Sequence, residues 1–271
     1  MLCWGSWANT QKLASKTWDF QLFYWDYALG LVLLSLVFAL TLGNSGDMGR
    51  GFIEDLGQAS GVYLGSAFLG GVIFNIANLL VVAAIDLAGM AIAFPIAIGL
   101  ALVLGVIINY MGEATGDPLL LFGGVALVTL AIIINAIAYS KMNKDAASSS
   151  RKGIVISVLG GIIMSFFYRF VADSLVGDFA HPEPGKLTPY TALFIFSLGV
   201  YLSNFIWNSI FMYKPFFGDP VTYKAYFTQG NLRLHLVGIL GGAIWCMGMF
   251  LSILSSDVAG PAISYGLSQG A

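Results

Sequence analysis

Apolar residues in this chain gather into long uninterrupted blocks separated by polar links. The blocks fall at 20–42, 62–84, 88–110, 119–139, 153–173, 190–213 and 234–254. A helix needs roughly 20 predominantly apolar residues to cross a bilayer, and a helix satisfies its own backbone polar groups there. Each block is therefore expected to be a membrane-spanning helix. Two shorter apolar stretches, 1–8 and 259–271, flank them. The pattern thus predicts an all-α integral membrane protein with seven full spans and two partial ones. Most of the charge sits in the links 44–60, 140–152, 177–188 and 214–233.

Composition agrees. The chain is 58% hydrophobic and 10% charged, against about 25% charged residues in soluble domains. A net charge of −2 supplies no basic field for nucleic acid. Cys3 and Cys246 stand in apolar runs without metal-ligand or redox spacing, and read as small buried side chains. His181 and His235 are too few and too isolated for a metal cluster. No catalytic constellation is legible in the spans, so no enzyme activity and no cofactor are expected. No basic segment precedes Cys3 and Trp4, which argues against a secretory signal.

Lysines and arginines set the orientation. Counting the N-terminal piece as the first helix, the odd-numbered links hold Lys12, Lys16, Lys141, Lys144, Arg151, Lys152, Lys214, Lys224 and Arg233, while the even-numbered ones hold only Arg50 and Lys186. The bias predicts a multi-pass protein of the cell membrane with the 141–152 loop in the cytoplasm and the N-terminus outside.

The chain also matches itself. At an offset of 171, residues 69–99 fall on 240–270 without a gap, with 11 of 31 pairs identical. The matches include Gly71/Gly242, Asp86/Asp257 and Gly89/Gly260, and an aspartate held between matching glycines in a tight turn is hard to obtain by chance. Five helices separate the copies, so they cross the membrane in opposite senses. Inverted repeats of this kind characterise secondary transporters with a substrate site near the midplane. The expected units are 1–140 and 153–271, each a five-helix repeat, joined by a cytoplasmic linker at 141–152. On this reading the full fold has ten helices, and the chain carries a shortened first helix, a shortened ninth and no tenth.

The segments CWGSWANTQKL, FYWDY, FFYRFVADS, PGKLTPYTALFIFSLGV, HLVGILGGAIWC and AGPAISYGLSQGA resemble the ureide permease family and its bacterial relatives in the drug/metabolite transporter superfamily. The resemblance extends over essentially the whole chain. It implies ten helices in two inverted halves, and proton-coupled import of allantoin, uracil and similar oxo-heterocycles. A sugar permease of the same fold and a drug or metabolite exporter remain alternatives. The plant members carry a long central loop with a Walker-A-like motif, whereas the link here is the short SKMNKDAASSSRK, without GxxxxGK[ST]. The partners implied are a small-molecule substrate, protons and the lipid bilayer.

Polar side chains inside spans are costly and normally face a cavity or the bundle interior. Ser165, Tyr168, Arg169 and Asp173 share one helical face. There Arg169 either binds substrate oxygens through its planar fork or pairs with Asp173 near the outer interface. Asn75 and Asn78 share a face and offer paired donors and acceptors for a ureide or nucleobase edge, or for sugar hydroxyls; the alternative is interhelical bonding alone. Asn204 and Asn208 read as such glue. Trp4, Trp7, Trp245 and Tyr265 can stack on a flat solute, with Ser268 and Gln269 beside Tyr265, or can serve as interfacial anchors. Asp26, the carboxylate well inside the first complete span, is the candidate proton-coupling group; the alternative is an aspartate bonded to neighbouring backbone or to Trp and Tyr groups of the FYWDY segment. The expected substrate pocket brings Asn75, Asn78, Tyr168, Arg169, Trp245 and Tyr265 together. The GxxxG spacings Gly61/Gly65 and Gly266/Gly270 read as close helix packing.

Overall fold

The computed structural model describes residues 2–15, 17–45, 49–142, 147–216 and 218–269. Among these it has the helices α1 (Leu2–Ser6), α2 (Ala8–Ala14), α3 (Phe20–Leu40), α4 (Phe52–Gln58), α5 (Gly61–Ala88), α6 (Met90–Gly112), α7 (Pro118–Met142), α8 (Ala147–Ser174), α9 (Pro189–Tyr213), α10 (Tyr223–Gln229), α11 (Leu232–Ala259) and α12 (Pro261–Gln269). Among the described residues the only β element is an isolated bridge between Leu175 and Leu187.

Among the described residues six helical segments are long and apolar enough to cross a membrane: Phe20–Asn44, Gly61–Ala88, Met90–Gly112, Arg151–Ser174, Pro189–Tyr213 and Leu232–Ala259. The seventh expected span lies in α7, whose described apolar part, Pro118–Ile134, is shorter. Apolar side chains such as Val37, Leu127, Leu202, Phe205, Leu236 and Leu251 point outward. An outer face of that kind suits hydrocarbon and not water. The expected linker is mostly helical, because α7 runs to Met142 and α8 starts at Ala147; residues 143–146 lie outside the described residues, as do Gly270 and Ala271.

The bundle is built from recurring pairs. Helix α5 packs against α8 and α9, α11 packs against α1, α2 and α3, and α6 packs against α8 and α12, while α3 also meets α9. Two of these seams are closed by glycine. Gly71 of α5 lies on the Phe196 carbonyl of α9, and Gly242 of α11 lies on the Tyr27 carbonyl of α3. The partner backbone occupies the space a Cβ would need, so larger residues would force the helices apart. The expected packing at Gly61 and Gly65 is corrected here: a Cβ at either meets nothing. GxxxG spacing alone does not say whether a glycine faces a neighbour.

Links fall at two ends. Gln11 reaches Asp86 at 3.4 Å, Gly153 packs on Leu87 and Ala88, and Lys152 donates to the Phe216 carbonyl. These contacts gather α2, the α5–α6 turn, the start of α8 and the stretch after α9 at a basic end. At the opposite end Ser60 donates to the Gly185 carbonyl, and Gly260 packs on Thr115. The turns α5–α6 and α11–α12 are each a single glycine at positive φ, Gly89 (82°) and Gly260 (76°), a conformation that favours glycine. They lie at opposite ends, and so do Asp86 and Asp257.

The end opposite the basic one is tied by Asp55, which is fully buried. It accepts hydrogen bonds from Arg50 (2.8 Å), from the Thr188 backbone N–H (2.8 Å) and hydroxyl (3.0 Å), and from Gln58 (3.1 Å). Arg50 also donates to the Glu183 and Lys186 carbonyls. Arg50 and α4 are thereby tied to residues 183–188 as one unit.

Candidate functional site

A small cavity of about 20 Å³ lies near the middle of α5, α8 and α11, lined by Trp4, Trp7, Phe74, Asn78, Phe94, Ile98, Met164, Trp245 and Gln269. That volume is enough for about one water molecule. Its walls are mostly aromatic. The indoles of Trp4 and Trp245 stack with centroids 5.2 Å apart and planes 14° from parallel, and Phe74 lies 4.1 Å from Trp245. The Trp4 N–H donates to the Trp245 carbonyl at 3.1 Å, anchoring the α1 end on α11. Trp7 packs on Tyr27 at 5.1 Å. Two carboxamides, Asn78 and Gln269, supply the polar part of the lining. Asn78 donates to the Tyr24 hydroxyl at 3.0 Å, which fixes the amide against α3. Pro95 interrupts the α6 hydrogen-bond ladder beside Phe94.

The cavity therefore contains five of the sequence-derived candidates: Trp4, Trp7, Asn78, Trp245 and Gln269. Tyr168 and Tyr265 stand outside the lining, fully buried, with rings 5.3 Å apart. Their hydroxyls donate to the carbonyls of Ser252 (3.1 Å) and Ala101 (3.0 Å). They brace α8, α11, α6 and α12 around the cavity. Asn75 donates to the Ser203 hydroxyl at 2.9 Å, a bond between α5 and α9 away from the lining. Asn208 likewise donates to the Gln21 carbonyl at 2.8 Å.

The expectation of one pocket holding Arg169 together with Asn75 and Asn78 is corrected. Arg169 pairs with Asp173 one turn away, both partly exposed, and lies across Gly112 at the end of α6. It lines a separate recess of about 420 Å³ at the end opposite the basic one, with Glu113, Thr115, Lys186, Ser256 and Asp257. The physical reason is position along the helix: Arg169 lies only five residues from the end of α8, where its fork reaches water. A second recess of about 420 Å³, lined by Gln11, Lys12, Ser15, Asp86 and Gly89 among others, opens at the basic end.

Asp26 is buried at 1% exposure on α3 and is not alone. One carboxylate oxygen lies 2.8 Å from His235 Nδ1 on α11, and the other accepts the Tyr226 hydroxyl of α10. The sequence reading missed both partners and dismissed His235 as isolated. A polar group at a helix start, 209 residues from its partner, carries no local signal. The only available hint was a histidine on the first turn of a repeat helix. Gly238, three residues on, admits the Asp26 side chain against α11.

By class, then, the molecule is a multi-pass α-helical membrane protein enclosing an indole-lined cavity. A sequence model of the family described as Ureide permease matches residues 23–152. Ureide permease 1 of Arabidopsis thaliana is 24% identical, over 97% of this chain and 81% of its own length. Ureide permease 3 of the same plant is 26% identical, over 97% and 84%. The probable ureide permease A3 of Vigna unguiculata is 21% identical, over 88% and 80%. No solved structure matches. By these matches the chain is similar over nearly its whole length to ureide permeases, whose names are those of transporters and not of enzymes.

Proposed function

We infer that the chain is a secondary-active permease that imports small, planar, polar solutes of the ureide or oxo-nucleobase type by proton symport. The observation that carries this reading is the chemistry of the cavity lining. Indole and phenyl faces suit a flat heterocycle, and the carboxamides of Asn78 and Gln269 match the alternating N–H and C=O edge of a ureide. At about 20 Å³ the cavity is closed around less than a solute, so transport requires it to widen toward one recess or the other. The names of the relatives point to the same substrate class.

The ten-helix inverted-repeat architecture, with units 1–140 and 153–271, is part of this reading. Its support is the correspondence of contacts: α5 on α9 resembles α11 on α3, with Gly71 and Gly242 at equivalent seams. The charge bias supports a cytoplasmic basic end and an outer N-terminus in the cell membrane. Asp26 is the proposed proton-coupling group, because it is buried, titratable and bonded across three helices.

Uptake of radiolabelled allantoin, uracil and a set of hexoses into cells expressing the protein tests the reading. Accumulation of the planar solutes, with protection of a cysteine at Asn78 by saturating substrate, is the expected result. Transport of hexoses with no uptake of planar solutes would overturn it in favour of a sugar permease.

A further inference from the structure

Asp26 lies seven residues into α3 with both carboxylate oxygens engaged, one by Tyr226 and one by His235. Around it Trp18 stacks on Tyr226 (5.8 Å, 25°) and meets His235 edge-on (4.9 Å, 86°), while Tyr226 and His235 lie 4.8 Å apart. These three rings cover the carboxylate on the side of the basic end. Of Asp26's two partners the imidazole is the one on the spanning helix α11; its side chain is about one quarter exposed, with Nε2 directed toward the backbone of Gly230 at the end of α10. His235 thus touches both the buried acid and the water-facing surface.

The remaining neighbours do not compete for this role. From α10 comes Tyr226, whose phenol is pushed above its ordinary value by burial, with the bond to Asp26 and its charge adding. It therefore donates and keeps its proton. From α9 comes Tyr201, beside Tyr226. Lys12 of α2 lines the recess at Asp86 instead, and Arg233 of α11 is exposed. Tyr24 and Tyr27 of α3 turn toward Asn78 and Trp7. Among the described residues no other charged group pairs with Asp26.

We propose that His235 is the proton exit of the transporter, taking the coupled proton from Asp26 and releasing it to water at the basic end. This rests on the reading of Asp26 as the coupling group. The protonated carboxyl gives its proton to His235 Nδ1, leaving a carboxylate held by Tyr226 and an imidazolium. The imidazolium then loses one proton to water and returns to neutral imidazole. No other reactant is needed. The same α3 segment carries Tyr24 and Tyr27 against the cavity residues Asn78 and Trp7, so occupancy of the cavity and the state of Asp26 act on one element.

The test uses the full chain in vesicles with controlled internal pH, and radiolabelled allantoin as the probe. Wild-type uptake is expected to change with internal pH. His235→Gln is expected to keep substrate counterflow, lose at least tenfold in gradient-driven uptake, and regain it when imidazole is supplied inside. Undiminished accumulation by His235→Gln overturns the proposal, and so does loss of counterflow together with accumulation, which marks a structural role. If that variant fails to reach the membrane, the wild-type profile decides, and an uptake that does not respond to internal pH overturns it. Failure of the underlying reading looks different: Asp26→Asn would then accumulate substrate like the wild type.

Discussion

The Asp26 carboxylate and the His235 imidazole, 209 residues apart in the chain, meet at 2.8 Å between α3 and α11. An acid buried in a membrane helix is costly without a partner, and here the partner is an imidazole whose side chain is about one quarter exposed. Asp26→Asn imitates the neutral acid in shape and cannot lose a proton. It is expected to abolish accumulation against a gradient while preserving counterflow exchange of substrate, measured side by side in the same vesicles.

The two asparagines of α5 separate binding from packing. Asn78 lines the cavity, and Asn78→Ala is expected to raise KM for a planar solute about tenfold, the loss of roughly one hydrogen bond at about 1.4 kcal/mol. Asn75→Ala removes only the bond to Ser203 and should cost ~0.6 kcal/mol of stability with KM unchanged. Uptake kinetics on both variants decide, and equal KM effects would remove the distinction.

Arg169 sits in the recess at the end opposite the basic one, paired with Asp173, both partly exposed. An exposed pair at this spacing contributes about 0.3–0.5 kcal/mol. Arg169→Ala is therefore expected to insert normally and to retain maximal transport velocity, with any effect confined to KM. Loss of velocity at saturating solute would return Arg169 to the central site.

Asp55 carries a different expectation. It is buried with four donors from Arg50, Thr188 and Gln58, and removing one member of a buried pair strands the other. Asp55→Ala should destabilise the protein by about 3 kcal/mol. Asp178→Ala, at an exposed loop pair with His181, should change stability little. Thermal unfolding of both variants in detergent measures the contrast.

Orientation is tested by two exposed positions at opposite ends. A cysteine at Lys224 is expected to resist a membrane-impermeant thiol reagent in intact cells, and one at Glu54 to react. The reverse pattern would invert the topology inferred from the charge bias.

Much of the helical layout was legible along the chain, because a span is a local matter: some 20 apolar residues suffice whatever surrounds them. The tight turn at Gly89 and its counterpart at Gly260 were legible as well, through an aspartate and glycines repeated at a fixed offset. Residue types that suit a flat polar solute also showed themselves, as Trp4, Trp7, Asn78, Trp245 and Gln269 did. Their meeting in one cavity did not, since it depends on how α1, α5, α11 and α12 are packed. Helical spacing put Tyr168 and Arg169 on one face, yet depth along α8 sends the phenol into the core and the guanidinium to an open recess. Gly61 and Gly65 had the right spacing for a helix seam and face open space, while Gly71 and Gly242 make the seams because a backbone happens to lie against them. In the sequence His235 stood only as a histidine too isolated for a metal cluster. Only tertiary structure brings it to Asp26, because a pair formed across two helices depends on their packing and leaves no periodic trace in either.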